Sequence, residues 1–165
     1  MRHLLEQIKK GLDNNLYYLS LFAVLTLPDI CGAMASENGK ACRKKYIQWF
    51  DNYVGGKCVG SLNGEDCWYF RCSLLHQGSS QNPKSNYSRV LFVEPTATTN
   101  VLHCNILDDA LNIDVRIFCN DVVEGVRGWL KEVEKTEPYK TNYSRFMMWH
   151  PHGLELYIKG VPVIG

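Results

Sequence analysis

The sequence has no strong excess of either charge and no nucleotide-binding loop. Its 165 residues contain 18 Lys and Arg against 17 Asp and Glu, a formal net charge of +1. This balance gives no sign of a strong polyanion-binding surface or of an acidic tail. The chain also has no Gly-rich phosphate loop, which disfavours hydrolysis of nucleoside triphosphates.

Paired metal-ligand motifs are missing as well. There is no CxxC and no HxxxH spacing, although His150 and His152 could be combined with Cys104 or Cys119. We disfavour that zinc site because Pro151 separates its two histidines and no pair has the usual ligand spacing. We therefore predict no metal and no cofactor.

The seven cysteines show no framework of disulfide pairs. Cys67 and Cys72 lie five residues apart on one predicted helix, where their side chains diverge too far for a relaxed disulfide. We predict seven free thiols, mostly small buried hydrophobic residues, in a reducing cytoplasmic compartment.

A long apolar run is also lacking. Residues 16–27 form a short apolar run after two lysines, and residues 33–35 (AMA) imitate a signal-peptidase site. The run is too short to span a bilayer, and acidic residues stand on both sides of it. We predict a core helix and no membrane contact, with a secretory signal as the alternative.

Helical periodicity is what the sequence does contain. Tyr46, Trp49, Phe50 and Tyr53 follow i, i+3, i+4, i+7 spacing, and residues 111–133 keep one apolar face over six turns. Weaker patterns predict helices at residues 3–12, 14–27, 63–78 and 142–149.

Two β-branched runs, residues 89–94 and 101–107, are separated by turn residues and predict a hairpin at about 89–107. Residues 154–164 read as an extended tail. The prediction is one mainly α domain, residues 1–165: a bundle of four to five helices with an inserted hairpin and an extended C-terminal tail.

The predicted helix at residues 63–78 is apolar nearly all round, yet it carries Arg71 and His76 with Ser73 between them. A guanidinium in such surroundings needs a partner or a water-filled cleft. Arg binds phosphate through two parallel hydrogen bonds, and His transfers protons near neutrality. Phosphodiester cleavage requires both a group that binds the phosphate and a group that transfers protons. Five residues of helix leave their Cα vectors about 140° apart, so they meet only where the helix ends and the arginine curls back.

Residues 70–78 (FRCSLLHQG) resemble the R-x4-6-H motif of HEPN domains. The resemblance implies a helical bundle that dimerises and acts as a metal-independent ribonuclease, with Arg71 on the scissile phosphate and His76 as general acid or base. It implies RNA, a second copy of the chain and a separate regulatory protein as partners. Two features depart from the family pattern: Cys72 stands where active members favour a polar residue, and the hairpin is an insertion. The further candidate substrate-binding residues are Ser73, Gln77, Arg43 and Lys44.

The alternative function is a non-catalytic interaction or scaffold domain whose motif helix is core or dimer interface. In that interpretation Arg71 pairs with a carboxylate, and His76 caps the helix end. The candidate carboxylates are Asp51, Asp66 and the pair Asp108-Asp109.

Overall fold

The computed structural model describes residues 1–58, 61–97 and 99–165, and the described chain is mainly α-helical, as predicted. Its six α-helices are α1 (Arg2–Asp13), α2 (Tyr17–Met34), α3 (Arg43–Tyr53), α4 (Gly64–Gln77), α5 (Val115–Val133) and α6 (Glu137–Tyr143).

Helix α2 lies at the centre of the fold, in contact with α1, α3 and α5. Its Val24, Leu25 and Leu27 are fully buried. The predicted apolar face of α5 supplies the opposite wall of the core through residues that include Phe118 and Val126. Helix α4 packs against α3.

The small sheet differs from the predicted hairpin at 89–107. Strands β1 (Arg89–Val93), β2 (Asn105–Leu107) and β3 (Ala110–Asp114) are ordered β1-β3-β2. β1 pairs with β3 in parallel, and the hairpin is formed by β2 and β3. The prediction was wrong about the pairing because a parallel partner leaves no local turn signal.

A two-residue turn joins β2 to β3. Asp108 and Asp109 have φ values of 46° and 66°, the left-handed conformations that a type I′ hairpin turn requires. The helix predicted from residue 111 therefore begins at Val115, where the Asp114 side chain accepts a hydrogen bond from the backbone N–H of Ile117 at 2.9 Å. Leu111 fits the spacing of a strand and of a helix alike, which explains the misplaced boundary.

The C-terminal segment folds back on itself in two short ladders. β4 (Trp149–His150) pairs with β7 (Val163–Ile164), and β5 (Gly153–Leu154) pairs with β6 (Ile158–Lys159). The prediction of a helix at 142–149 is wrong. Helix α6 begins earlier, at Glu137, and ends at Tyr143.

The apolar run at residues 16–27, predicted to be a core helix, lies in the longer helix α2 except for its first residue, which caps that helix. By length and composition α2 could cross a membrane, and half of it is buried inside the fold. A core helix and an N-terminal signal sequence share this composition.

Two of the seven cysteines are not free thiols, contrary to the prediction. Cys58 and Cys104 form a disulfide across 46 residues of sequence. The remaining cysteines are free; Cys31, Cys67 and Cys119 are buried, Cys72 is half-buried and Cys42 is exposed.

The buried thiols are expected to resist alkylation in the native protein. Burial raises the pKa of Cys67 and of Cys119 to about 12, and it raises the pKa of Cys31 well above its usual value. Iodoacetamide at pH 8 followed by mass spectrometry should modify Cys42 first, whereas denaturant should expose all five free thiols. Native labelling of Cys67 at the rate of Cys42 would contradict this.

Two glycines of α5 are expected to respond differently to alanine. A Cβ at Gly125 would lie 3.1 Å from the carbonyl oxygen of Tyr53, so this glycine permits close packing against the end of α3. No described atom outside the helix backbone lies within 4 Å of a Cβ at Gly128. Gly128→Ala should raise the free energy of unfolding by about 1 kcal/mol through helix propensity alone. Gly125→Ala should leave the free energy of unfolding unchanged or lower it. Urea denaturation of the two variants measures the difference.

Candidate functional site

The ends of α4 place the candidate residues. The Asn63 side chain accepts a hydrogen bond from the backbone N–H of Asp66 at 2.8 Å, which fixes the first turn. At the other end Gly78 takes the left-handed conformation (φ 65°), and its N–H donates to the carbonyl of Leu74 at 2.9 Å. His76 therefore lies in the last turn of the helix, where its side chain is exposed.

The structure brings Arg71 and His76 together despite their offset around the helix. Arg71 Nη1 lies 3.4 Å from His76 Nε2, within reach of a hydrogen bond donated by the guanidinium. Such a bond requires Nε2 to be unprotonated, because only then does it carry a lone pair. The same Nη1 lies 3.8 Å from Cys72 Sγ, so this thiol also contacts the guanidinium.

Sequence reasoning missed the carboxylate partner of Arg71, which is Asp29 on α2. Arg71 Nη2 donates to Asp29 Oδ2, and the two side chains are only 17% and 13% exposed. The guanidinium also lies over the Trp68 ring, 5.0 Å from its centroid. Burial raises the pKa of the Asp29 carboxyl, an effect that outweighs the opposite influence of Arg71 and His76.

The carboxylates considered from the sequence have other positions. Asp51 Oδ1 accepts from the backbone N–H of Gly64 at 2.6 Å, and buried Asp66 accepts from the backbone and side chain of Asn86. Asp29 did give a signal in the sequence, since it is the single charged residue of the apolar helix α2. A lone charge on such a helix calls for an oppositely charged partner.

Two of the other candidate substrate-binding residues, Ser73 and Arg43, are held by partners outside this cluster. Ser73 is buried, and its hydroxyl accepts a hydrogen bond from Asn82 Nδ2 at 2.8 Å. Gln77 is exposed beside His76 in the sequence, and Lys44 is exposed on α3. Arg43 is engaged at the first turn of α4, where it forms an ion pair with Glu65 and donates to Tyr69 Oη at 2.8 Å.

The cluster of Asp29, Arg71 and His76 thus has a buried end and an exposed end. The carboxylate fixes one edge of the guanidinium, while the other edge lies next to an imidazole at the surface. Arg71 Nε is buried with no hydrogen-bond partner among the described residues. An anion bound beside His76 would be within reach of a fixed positive charge and a group able to transfer protons.

Comparison with known proteins finds no matching family model, curated protein or solved structure.

Proposed function

We propose that this chain is a metal-independent ribonuclease of the HEPN type, in which Arg71 binds the scissile phosphate and His76 acts as general acid or base. The observation that carries the proposal is the 3.4 Å separation of Arg71 Nη1 and His76 Nε2. His76 is exposed, so a bound substrate could reach the imidazole.

RNA supplies its own nucleophile for such a reaction. The 2′-oxygen attacks the adjacent phosphorus and loses its proton to a base, the P–O5′ bond breaks, and the leaving 5′-oxygen takes a proton from an acid. The products are a 2′,3′-cyclic phosphate and a 5′-hydroxyl. Arg71 would stabilise the negative charge that develops on the phosphoryl oxygens, and His76 would perform one of the two proton transfers.

Asp29 is the positioning residue in this proposal. It holds Nη2 of Arg71 at the α2–α4 contact, which leaves Nη1 on the side of His76. A guanidinium fixed at one edge loses little further conformational freedom when a phosphate binds.

One histidine cannot serve as acid and base in the same step, so the proposal includes a homodimer. A two-fold axis beside α4 would bring two Arg71 and His76 pairs into a shared cleft, one imidazole for each proton transfer.

The direct test incubates the purified chain with a mixed RNA in the presence of EDTA, beside a DNA of the same sequence. We expect cleavage of the RNA alone, with 2′,3′-cyclic phosphate ends, because DNA lacks the attacking 2′-hydroxyl. A His76→Ala preparation purified in the same way controls for contaminating nuclease. Equal cleavage by both preparations, or no cleavage by either, would contradict the proposal.

A non-catalytic interaction or scaffold domain is the second candidate, and the Asp29 contact favours it. The ion pair with Asp29 already gives the guanidinium a counter-charge, and only 17% of the arginine side chain is exposed. In this alternative the pair joins α2 to α4, and the protein binds another protein without turnover.

A further inference from the structure

A second cluster of reactive side chains lies at the other end of α4, away from Arg71 and His76. Cys58 follows the short 3-10 helix Gly55–Lys57, and His103 with Cys104 precedes β2. The ligand-type atoms of these three residues all lie within 4.8 Å of one another. Cys58 Sγ is 3.8 Å from His103 Nε2.

Among the described residues, the His103 ring has one hydrogen-bond contact, and it is to a sulfur. One ring nitrogen faces the sulfur of Cys58, and Nδ1 is buried without a hydrogen-bond partner among residues 1–58, 61–97 and 99–165. With the ring proton on Nδ1, Nε2 carries the lone pair, and its contact among the described residues is the sulfur of Cys58.

We propose that reduction of the Cys58–Cys104 disulfide converts this cluster into a Zn²⁺ site with Cys58 Sγ, Cys104 Sγ and His103 Nε2 as ligands. Two thiolates and one imidazole form a donor set that zinc favours, and water completes a four-coordinate ion. The site is independent of the proposed ribonuclease activity. It also differs from the sequence expectation of no metal, since only folding brings Cys58 to His103 and Cys104.

The separation of Cys58 Sγ and His103 Nε2 fits a single ion. With Zn–S near 2.3 Å and Zn–N near 2.0–2.1 Å, tetrahedral angles place a sulfur and a nitrogen about 3.5 Å apart and two sulfurs about 3.8 Å apart. The observed separation of 3.8 Å between Cys58 Sγ and His103 Nε2 is close to the first value. Once the S–S bond is broken, the two sulfurs need only separate to the second value.

The chemistry balances with a dithiol as reductant. The S–S bond of Cys58–Cys104 breaks, two electrons and two protons pass to the two sulfurs, and the reductant becomes a disulfide. Zn²⁺ then binds the two sulfurs, and the two thiols release their two protons as they become thiolate ligands. The oxidised chain cannot bind the ion in this way, because neither disulfide sulfur is a thiolate.

The nearby charges are those of Asp121 and Lys57. Their side chains lie 4.0 Å apart, and burial raises the pKa of the Asp121 carboxyl against the influence of Lys57 and His103. Zinc held by two thiolates and a neutral imidazole carries no net charge, so neither group is needed to balance the charge of the ion.

The test titrates the full chain with Co²⁺ after reduction by dithiothreitol and its removal under anaerobic conditions. We expect saturation at one ion per chain, with the near-ultraviolet charge-transfer absorption of cobalt thiolates, and displacement by Zn²⁺. Cys58→Ser should abolish that absorption, and His103→Ala should weaken binding at least about tenfold. The oxidised chain should not bind, while Cys42→Ser, which removes an exposed free thiol, should bind as the wild type does.

A second measurement on the wild type does not depend on the folding of any variant. Zn²⁺ should protect Cys58 and Cys104 of the reduced chain from iodoacetamide and leave Cys42 as reactive as before, as mapped by mass spectrometry. Failure of the reduced chain to saturate with Co²⁺, normal binding by Cys58→Ser, or unchanged alkylation of Cys58 and Cys104 would each overturn the proposal.

Discussion

Asp29→Ala is expected to lower the free energy of unfolding by about 3 kcal/mol. The loss follows from what the variant leaves behind: a guanidinium that is 17% exposed and has lost the carboxylate that paired with it. Trp68 and His76 still contact Arg71, but neither supplies a negative charge. The cost is therefore that of an uncompensated charge at the contact between α2 and α4.

A second substitution shows whether charge or packing is responsible. Combining Asp29→Ala with Arg71→Met removes both charges and keeps an unbranched apolar side chain, so most of the lost stability should return. The control is the exposed pair of Arg2 and Glu134, 2.8 Å apart with side chains 75% and 38% exposed. Glu134→Ala should cost less than about 1 kcal/mol in the same urea titration. An Asp29→Ala variant as stable as the Glu134→Ala control would show that the ion pair does not hold the two helices together.

Elements that bury one face at a regular spacing were predictable from the sequence. The aromatic stripe of α3 and the apolar face of α5 are read from spacing within one segment, and the ends of α4 from Asn63 and Gly78. The pairing of β1 with β3 was not predictable, because Arg89 meets Ala110 in parallel across a long connection. Neither segment contains a sequence signal that identifies the strand with which it pairs. Leu111 fits the periodicity of a strand as well as that of a helix.

Contacts between distant segments were also not predictable at the candidate site. Arg71 and His76 could be found because they are polar residues on a helix that is otherwise mainly apolar, and both belong to one segment. Asp29 was missed because its contact with Arg71 joins residues 42 positions apart and exists only once α2 packs against α4. The Cys58–Cys104 pair was missed for the same reason, since 46 residues separate the two thiols.

His76→Ala is expected to reduce the rate of RNA cleavage by at least about 100-fold, the usual contribution of a positioned acid or base. Because the His76 side chain is exposed, the variant should keep the wild-type free energy of unfolding within about 0.5 kcal/mol. Cleavage of a short labelled RNA under single-turnover conditions, with EDTA present, measures the rate. His152→Ala replaces an exposed histidine of the C-terminal segment and should cleave at the wild-type rate.

Arg71→Lys separates the two candidate functions. Lysine keeps a positive charge for Asp29, so the contact between α2 and α4 should survive in large part, but it lacks the planar fork that binds two phosphate oxygens at once. A ribonuclease should therefore lose most of its activity, about 100-fold or more, while the fold is retained. If Arg71→Lys and His76→Ala both cleave as the wild type does, Arg71 serves only to join the helices. Any cleavage then arises outside this cluster, and the interaction domain is the better account of the cluster.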